Sequence, residues 1–276
     1  MIVVTGTKRS GTSMWMQALS AAGFEVIGEA FPHRWQSTLA AANPRGFFES
    51  SFRSGVHHRT NPDPRSGRYL SAEETEWTAT KIFVRGLVRT ERAYLRSVIA
   101  GVRPWRAYAA SIRRLRRIEV ESAGGDRAKA ARMPSIPEHL EWWDDNVTLL
   151  RDATVRGYPM LWVGYDDVIA SPRGEVARVL GFVGRGDVDA ACAAIEPSLR
   201  TSFESVEPVQ GDAAALDLLE AGLLGGEATH PSFVAAVSAL DRRMRPQIAR
   251  FRKADAQARR THRRPRARLP RLAGTP

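Results

Sequence analysis

Between a β-branched run and a helical stretch the chain reads Gly6-Thr7-Lys8-Arg9-Ser10-Gly11-Thr12-Ser13. Glycines there let backbone N–H groups turn toward an anion, and hydroxyls and cations add donors and charge. The spacing G-x-x-x-x-G is that of a nucleoside-triphosphate loop. At the next position, however, Thr12 stands where such a loop has its phosphate-binding lysine, and the cations Lys8 and Arg9 lie inside the loop instead. A kinase depends on that lysine and on Mg²⁺ to neutralise β and γ charge. A ligand with one 5′-phosphate and a small leaving anion needs neither.

A second cluster pairs a charge with a hydroxyl. Arg103 follows the expected strand 96–102, and Ser111 lies eight residues on, in the helix opened by Pro104. Such a pair suits a dianion; Arg106, Arg113 and Arg114 are alternative cations in the same segment. Trp142-Trp143, Trp35, Phe47 and Phe48 are candidate walls of a substrate pocket. His57-His58 with Asp63 reads as an exposed loop, and no metal is expected.

Arg9-Ser10-Gly11-Thr12-Ser13, with Trp15 two residues on, resembles the 5′-phosphosulfate loop of sulfotransferases that use 3′-phosphoadenosine 5′-phosphosulfate (PAPS). The Arg103/Ser111 pair is similar to that family's 3′-phosphate site, although the family usually has one residue between its Arg and Pro. Trp162-Val163-Gly164-Tyr165-Asp166-Asp167-Val168, Leu180-Gly181-Phe182-Val183-Gly184 and Ile195-Glu196-Pro197-Ser198-Leu199-Arg200 resemble bacterial members. The resemblance covers roughly residues 1–204.

It implies a PAPS-dependent transfer of sulfonate to a hydroxyl of a small molecule, sugar or lipid, leaving adenosine 3′,5′-bisphosphate. It implies that Thr7, Lys8, Arg9, Ser10, Gly11, Thr12 and Ser13 hold the 5′ end, Arg103 and Ser111 the 3′-phosphate, and that Arg200 reaches the nucleotide. Aryl members carry a catalytic histidine two residues after a strand lysine; here Lys81 is followed by Phe83 at that position. Other members carry Gly-Glu after the second strand, which makes Glu29 of Gly28-Glu29 the first candidate base. Glu49, in a segment similar to one in bacterial members, is second and His33 third. Lys81 either bridges to the sulfonate or pairs with a carboxylate.

The elements that must position these residues follow from periodicity. Strands are expected at 2–5, 24–27, 81–84, 96–102 and 158–163, with helices at 12–22, from 104, at 137–155 and at 172–182. The alternation argues for an α/β fold: a P-loop-like parallel β-sheet with helices on both faces. With 276 residues, 43% hydrophobic, there is ample surface for one such core, expected over 1–250.

The formal charge is +11, but the stretch from Arg250 onward carries +9 of it, leaving +2 for the rest. Residues 251–276 are thus expected as a basic tail, able to touch nucleic acid or anionic lipid through phosphates. A near-neutral body argues against nucleic-acid binding as the main role. A single cysteine, Cys192, excludes a disulfide framework. No apolar run is long enough to span a bilayer and no leader is visible, so the chain is read as cytoplasmic. A P-loop nucleotide or small-molecule kinase is the alternative activity.

Overall fold

The structure is a computed structural model, and it describes residues 1–31, 43–63, 66–122, 136–199 and 211–261. The segment Ile2-Val3-Val4-Thr5-Gly6 forms β1, buried at every residue. Its alternate side chains serve opposite faces. Ile2 and Val4 pack on one side against Trp15, Met16 and Leu19, while Met1 and Val3 pack on the other with Val84, Leu87 and Leu149. A strand buried on both faces must be apolar throughout, which is why the run carries no polar alternation.

Five parallel strands make the sheet: β1, β2 (Val26–Ile27), β3 (Ala79–Lys81), β4 (Ser97–Val102) and β5 (Met160–Gly164), in the order β2-β3-β1-β4-β5. Helix α1 (Thr12–Ala21) lies on the Ile2/Val4 face. The short helix α2 (Val84–Leu87), then α3 (Trp105–Ser122) and α4 (Glu138–Arg156), cover the other. After β5 come α5 (Tyr165–Ala170), α6 (Pro172–Val183), α7 (Val188–Ala193), α8 (Ala213–Leu224) and α9 (Pro231–Thr261). Both faces of the parallel sheet are therefore covered by helices, as the alternation predicts.

Three expectations change. The strand placed at 81–84 lies at Ala79–Lys81, and Val84–Leu87 is helical, because Val84 and Leu87, three apart, both insert into the core around Phe52 and Val56. The strand at 24–27 contracts to Val26–Ile27. The boundary at residue 250 falls inside α9: Phe251 packs on the core beside Val237 and Ile248, and Arg252 pairs with buried Asp144. The rest of the expected tail, from 262, lies outside the described residues. No helix among the described residues is long and apolar enough to cross a membrane.

Candidate functional site

At β1 the strand order reverses, with β3 on one side and β4 on the other. In parallel sheets that is where a crevice opens at the carboxyl ends of the strands. The turn from β1 into α1 fills its floor. A Cβ on Gly6 would stand 2.4 Å from the Gly101 carbonyl oxygen and 2.6 Å from Ser10 Oγ, so the loop begins pressed against β4. Ser10 Oγ donates to the Thr7 carbonyl at 2.7 Å and closes the turn. Arg9 sits in the left-handed region (φ 65°), as does Gly11 (φ 87°), the residue that caps α1. Thr7 and Ser10, expected at the 5′ end of the ligand, are buried beneath the loop and do not line the cleft. Gly11, Thr12 and Ser13 line the cleft, together with Lys8 and Arg9.

Arg103 and Ser111, at the end of β4 and in α3, come together as their spacing suggests. Arg103 Nη1 donates to Ser111 Oγ at 3.3 Å and to the Arg9 carbonyl at 3.1 Å. Arg9 Nε donates to the same Ser111 hydroxyl at 3.2 Å. The Arg103 backbone is pinned by the indole N–H of Trp142, 2.8 Å from its carbonyl, and its guanidinium lies 4.7 Å from the Tyr165 ring centroid. Burial, and then the nearby charge of Arg103, push the Arg9 guanidinium below its ordinary pKa. Of the alternative cations, Arg106 pairs with Asp217 and Arg113 with Glu138.

On the other side of the loop, Lys81 ends β3 and is 3% exposed. Its ammonium lies 2.7 Å from Glu49 Oε1, donates to the Phe47 carbonyl, and stands 3.5 Å from Ser13 Oγ. Burial lowers its pKa, and the Glu49 charge partly restores it. The pairing reading of Lys81 is thus the one seen. Glu49 Oε2 is buried and makes no hydrogen bond among the described residues.

Glu29 and Glu49 exchange backbone hydrogen bonds across an antiparallel bridge, with N···O of 2.9 and 3.1 Å. Their side chains part: Glu49 lines the cleft, whereas Glu29 is exposed and does not. This bridge requires Gly28, where a Cβ would lie 2.7 Å from the Phe48 carbonyl oxygen. His33, Trp35 and Arg200 lie outside the described residues.

The cleft measures about 270 Å³ and holds Arg9, Arg103, Lys81 and Glu49 together. Phe47 and Phe83 are among its walls, but Trp142 and Trp143 are not: both are fully buried in the core, their indole N–H groups bonded to the Arg103 carbonyl and to Asp241. Their apolar surface fills the space between the sheet and α9 rather than receiving a ligand. Phe48 packs against the core beneath α1.

Tyr165 and Leu199 line the cleft without having been assigned to it by motif. Tyr165 follows directly on β5, at the carboxyl edge of the sheet where ligands gather, and that position is the available signal. Among the described residues no group of three or more His, Cys, Asp or Glu is placed to hold a metal ion.

The cleft gathers groups that attract negative charge. It offers backbone N–H groups at a ten-residue helix, then two guanidinium groups meeting at one hydroxyl, where like-charge repulsion favours an added anion. A carboxylate–ammonium pair stands at the other end. The chain matches no protein-family model and no curated protein sequence.

Proposed function

We propose that the chain is a sulfotransferase that takes a sulfonate from PAPS and places it on a hydroxyl of a small-molecule, sugar or lipid acceptor. The observation that carries this reading is the convergence of Arg9 and Arg103 on Ser111, at one end of a cleft whose other end holds Glu49 and Lys81. Arg103 and Ser111 are the groups for a 3′-phosphate. Arg9 and the backbone N–H groups of the loop and of Thr12 and Ser13 are those for the 5′ end. When bound, PAPS supplies an electrophilic sulfur and a phosphate leaving group.

The residues then divide the remaining work. Glu49, whose Oε2 is the carboxylate oxygen left over from the Lys81 pair, takes the acceptor's proton as its oxygen bonds to sulfur. Lys81 holds that carboxylate in place and sets a positive charge beside the shifting sulfonate. The bond from sulfur to the bridging phosphate oxygen breaks, and Arg9 and Lys8 carry the charge that collects there. Glu29, exposed but bridged to Glu49 through the backbone, is the second candidate base.

Calorimetric titration with adenosine 3′,5′-bisphosphate, set beside ATP with Mg²⁺, tests the donor. Micromolar binding of the bisphosphate that weakens in Ser111→Ala, with no binding of ATP, is the expected result. Binding of ATP–Mg²⁺ alone would sink the sulfotransferase reading and favour a kinase.

A further inference from the structure

A second cavity, about 300 Å³, opens on the far side of Lys8. Its walls come from five parts of the fold: Lys8 of the loop, Arg85 of α2, Ile136 ahead of α4, Glu141 and Asp145 of α4, and Arg252 and Asp255 of α9. Lys8 lines both cavities, and its ammonium stands 3.6 Å from Glu141 Oε1. The cleft and this chamber therefore share one exposed side chain.

The charges around the chamber are not evenly engaged. Arg85 Nη2 turns away to Asp144 Oδ2 at 2.8 Å, and Arg252 donates to the same carboxylate, as does Arg245 at 3.3 Å. Asp144 is 1% exposed and gathers the arginine charge behind the wall. Asp145, its neighbour in α4, faces the chamber and makes no hydrogen bond or ion pair among the described residues. Three cations and three carboxylates line the chamber, but Arg85 and Arg252 are engaged by Asp144 and Lys8 by Glu141, so Asp145 is the charge turned toward an incoming cation.

We propose that this chamber is a second ligand site, which takes a compound of monosaccharide size bearing a primary ammonium group, with Asp145 as the residue that receives the ammonium. The ligand class rests on the chamber itself and not on the sulfotransferase reading above. The volume has room for one sugar ring but not for a large aglycone. Burial, and then Glu141, hold the Asp145 carboxyl up at about 7, with Arg85 and Lys8 pulling the other way. Arg252 and Asp255 of α9 face the same chamber, and the Tyr108 hydroxyl of α3 has its pKa raised by burial first, then by the charges of Glu141 and Asp145. An arriving ammonium favours the ionised form of Asp145, so binding near pH 7 releases part of a proton.

Calorimetry on the full chain with glucosamine, glucose and N-acetylglucosamine separates the amine from the ring, and repeating it in buffers of different ionisation enthalpy reads the proton. Glucosamine is expected to bind at least tenfold more tightly than the other two, with proton release. Asp145→Asn should bring it down to the level of glucose while adenosine 3′,5′-bisphosphate binds as before. Equal binding of the three sugars, binding of none, or a preference that survives in Asp145→Asn would each overturn the proposal. If the bisphosphate fails to bind while the Asp145-dependent preference holds, the donor reading fails and the cation site stands. Bisphosphate binding without that preference keeps the donor reading and overturns the cation site.

Discussion

Lys81 Nζ and Glu49 Oε1 meet at 2.7 Å, with side chains only 4% and 6% exposed. Burial lowers the Lys81 pKa, and the neighbouring Glu49 charge offsets part of that loss. Replacing Glu49 by Gln leaves a buried ammonium beside the Phe47 carbonyl and Ser13, at a cost of about 3 kcal/mol. Chemical denaturation should show that loss. The double variant Glu49→Gln/Lys81→Met should recover most of it without recovering activity.

Turnover separates the two carboxylates joined by the backbone bridge. Glu49→Gln is expected to lower kcat by at least about 100-fold, in the range of a lost general base, while bisphosphate affinity changes little. Glu29→Gln should leave kcat within a few-fold of wild type, because its side chain points to solvent. A normal kcat in Glu49→Gln with a collapse in Glu29→Gln would reverse the assignment.

The shared hydroxyl of Ser111 makes a graded series. Removing it in Ser111→Ala leaves both guanidinium groups and should weaken bisphosphate binding about tenfold, one hydrogen bond to a charged group. Arg9→Ala and Arg103→Ala each remove a charge and should cost at least about 100-fold, with a shallower salt dependence than wild type. Titrations at two salt concentrations check both parts.

Gly11 and Gly23 form a matched pair of controls. Both lie at positive φ, 87° and 94°. A Cβ on Gly23 meets nothing within 4 Å, whereas on Gly11 it would stand 2.9 Å from a Tyr165 ring carbon. Gly23→Ala should lose about 1 kcal/mol of stability and no affinity. Gly11→Ala should lose more stability and also bisphosphate binding, since the displaced ring is the one beside Arg103. Equal affinity in the two variants would deny Tyr165 a part in the site.

Asp145 predicts a pH signature of its own. Its carboxyl is raised from 3.8 to about 7 on folding, so between those values the folded chain binds more protons than the unfolded one. Its contribution to stability therefore falls as pH rises from about 4 to about 7, by something on the order of a few kcal/mol. Asp145→Asn removes that slope. Denaturation midpoints at pH 5, 6, 7 and 8 should favour the variant increasingly up to about 7 and then level off.

Much of the architecture is legible in the chain because it is local. The apolar run 2–5, the glycine turn and the helix from Thr12 each follow from neighbours in sequence, as does the placement of Ser111 eight residues after Arg103. The strand expected at 81–84 begins two residues late because Val84 and Leu87 satisfy either a strand run or a helical turn. Only the pocket around Phe52 and Val56 decides between them.

Composition and spacing thus determine a strand–glycine turn–helix unit, an arginine and a serine that meet across eight residues, and a parallel sheet with helices on both faces. Pairs distant in sequence answer to the packed molecule instead. Spacing cannot rank Glu29 against Glu49, because the bridge between them joins two segments that no motif connects, and the two residues differ only in which way the bridged backbone turns them. Nor can it keep Trp142 and Trp143 out of a pocket, or carry α9 past residue 250 onto Asp144, because burial is a property of the whole packed core. Local periodicity specifies which face of an element is apolar; which partner covers that face, and which charges are left toward a cavity, is set only when the elements meet.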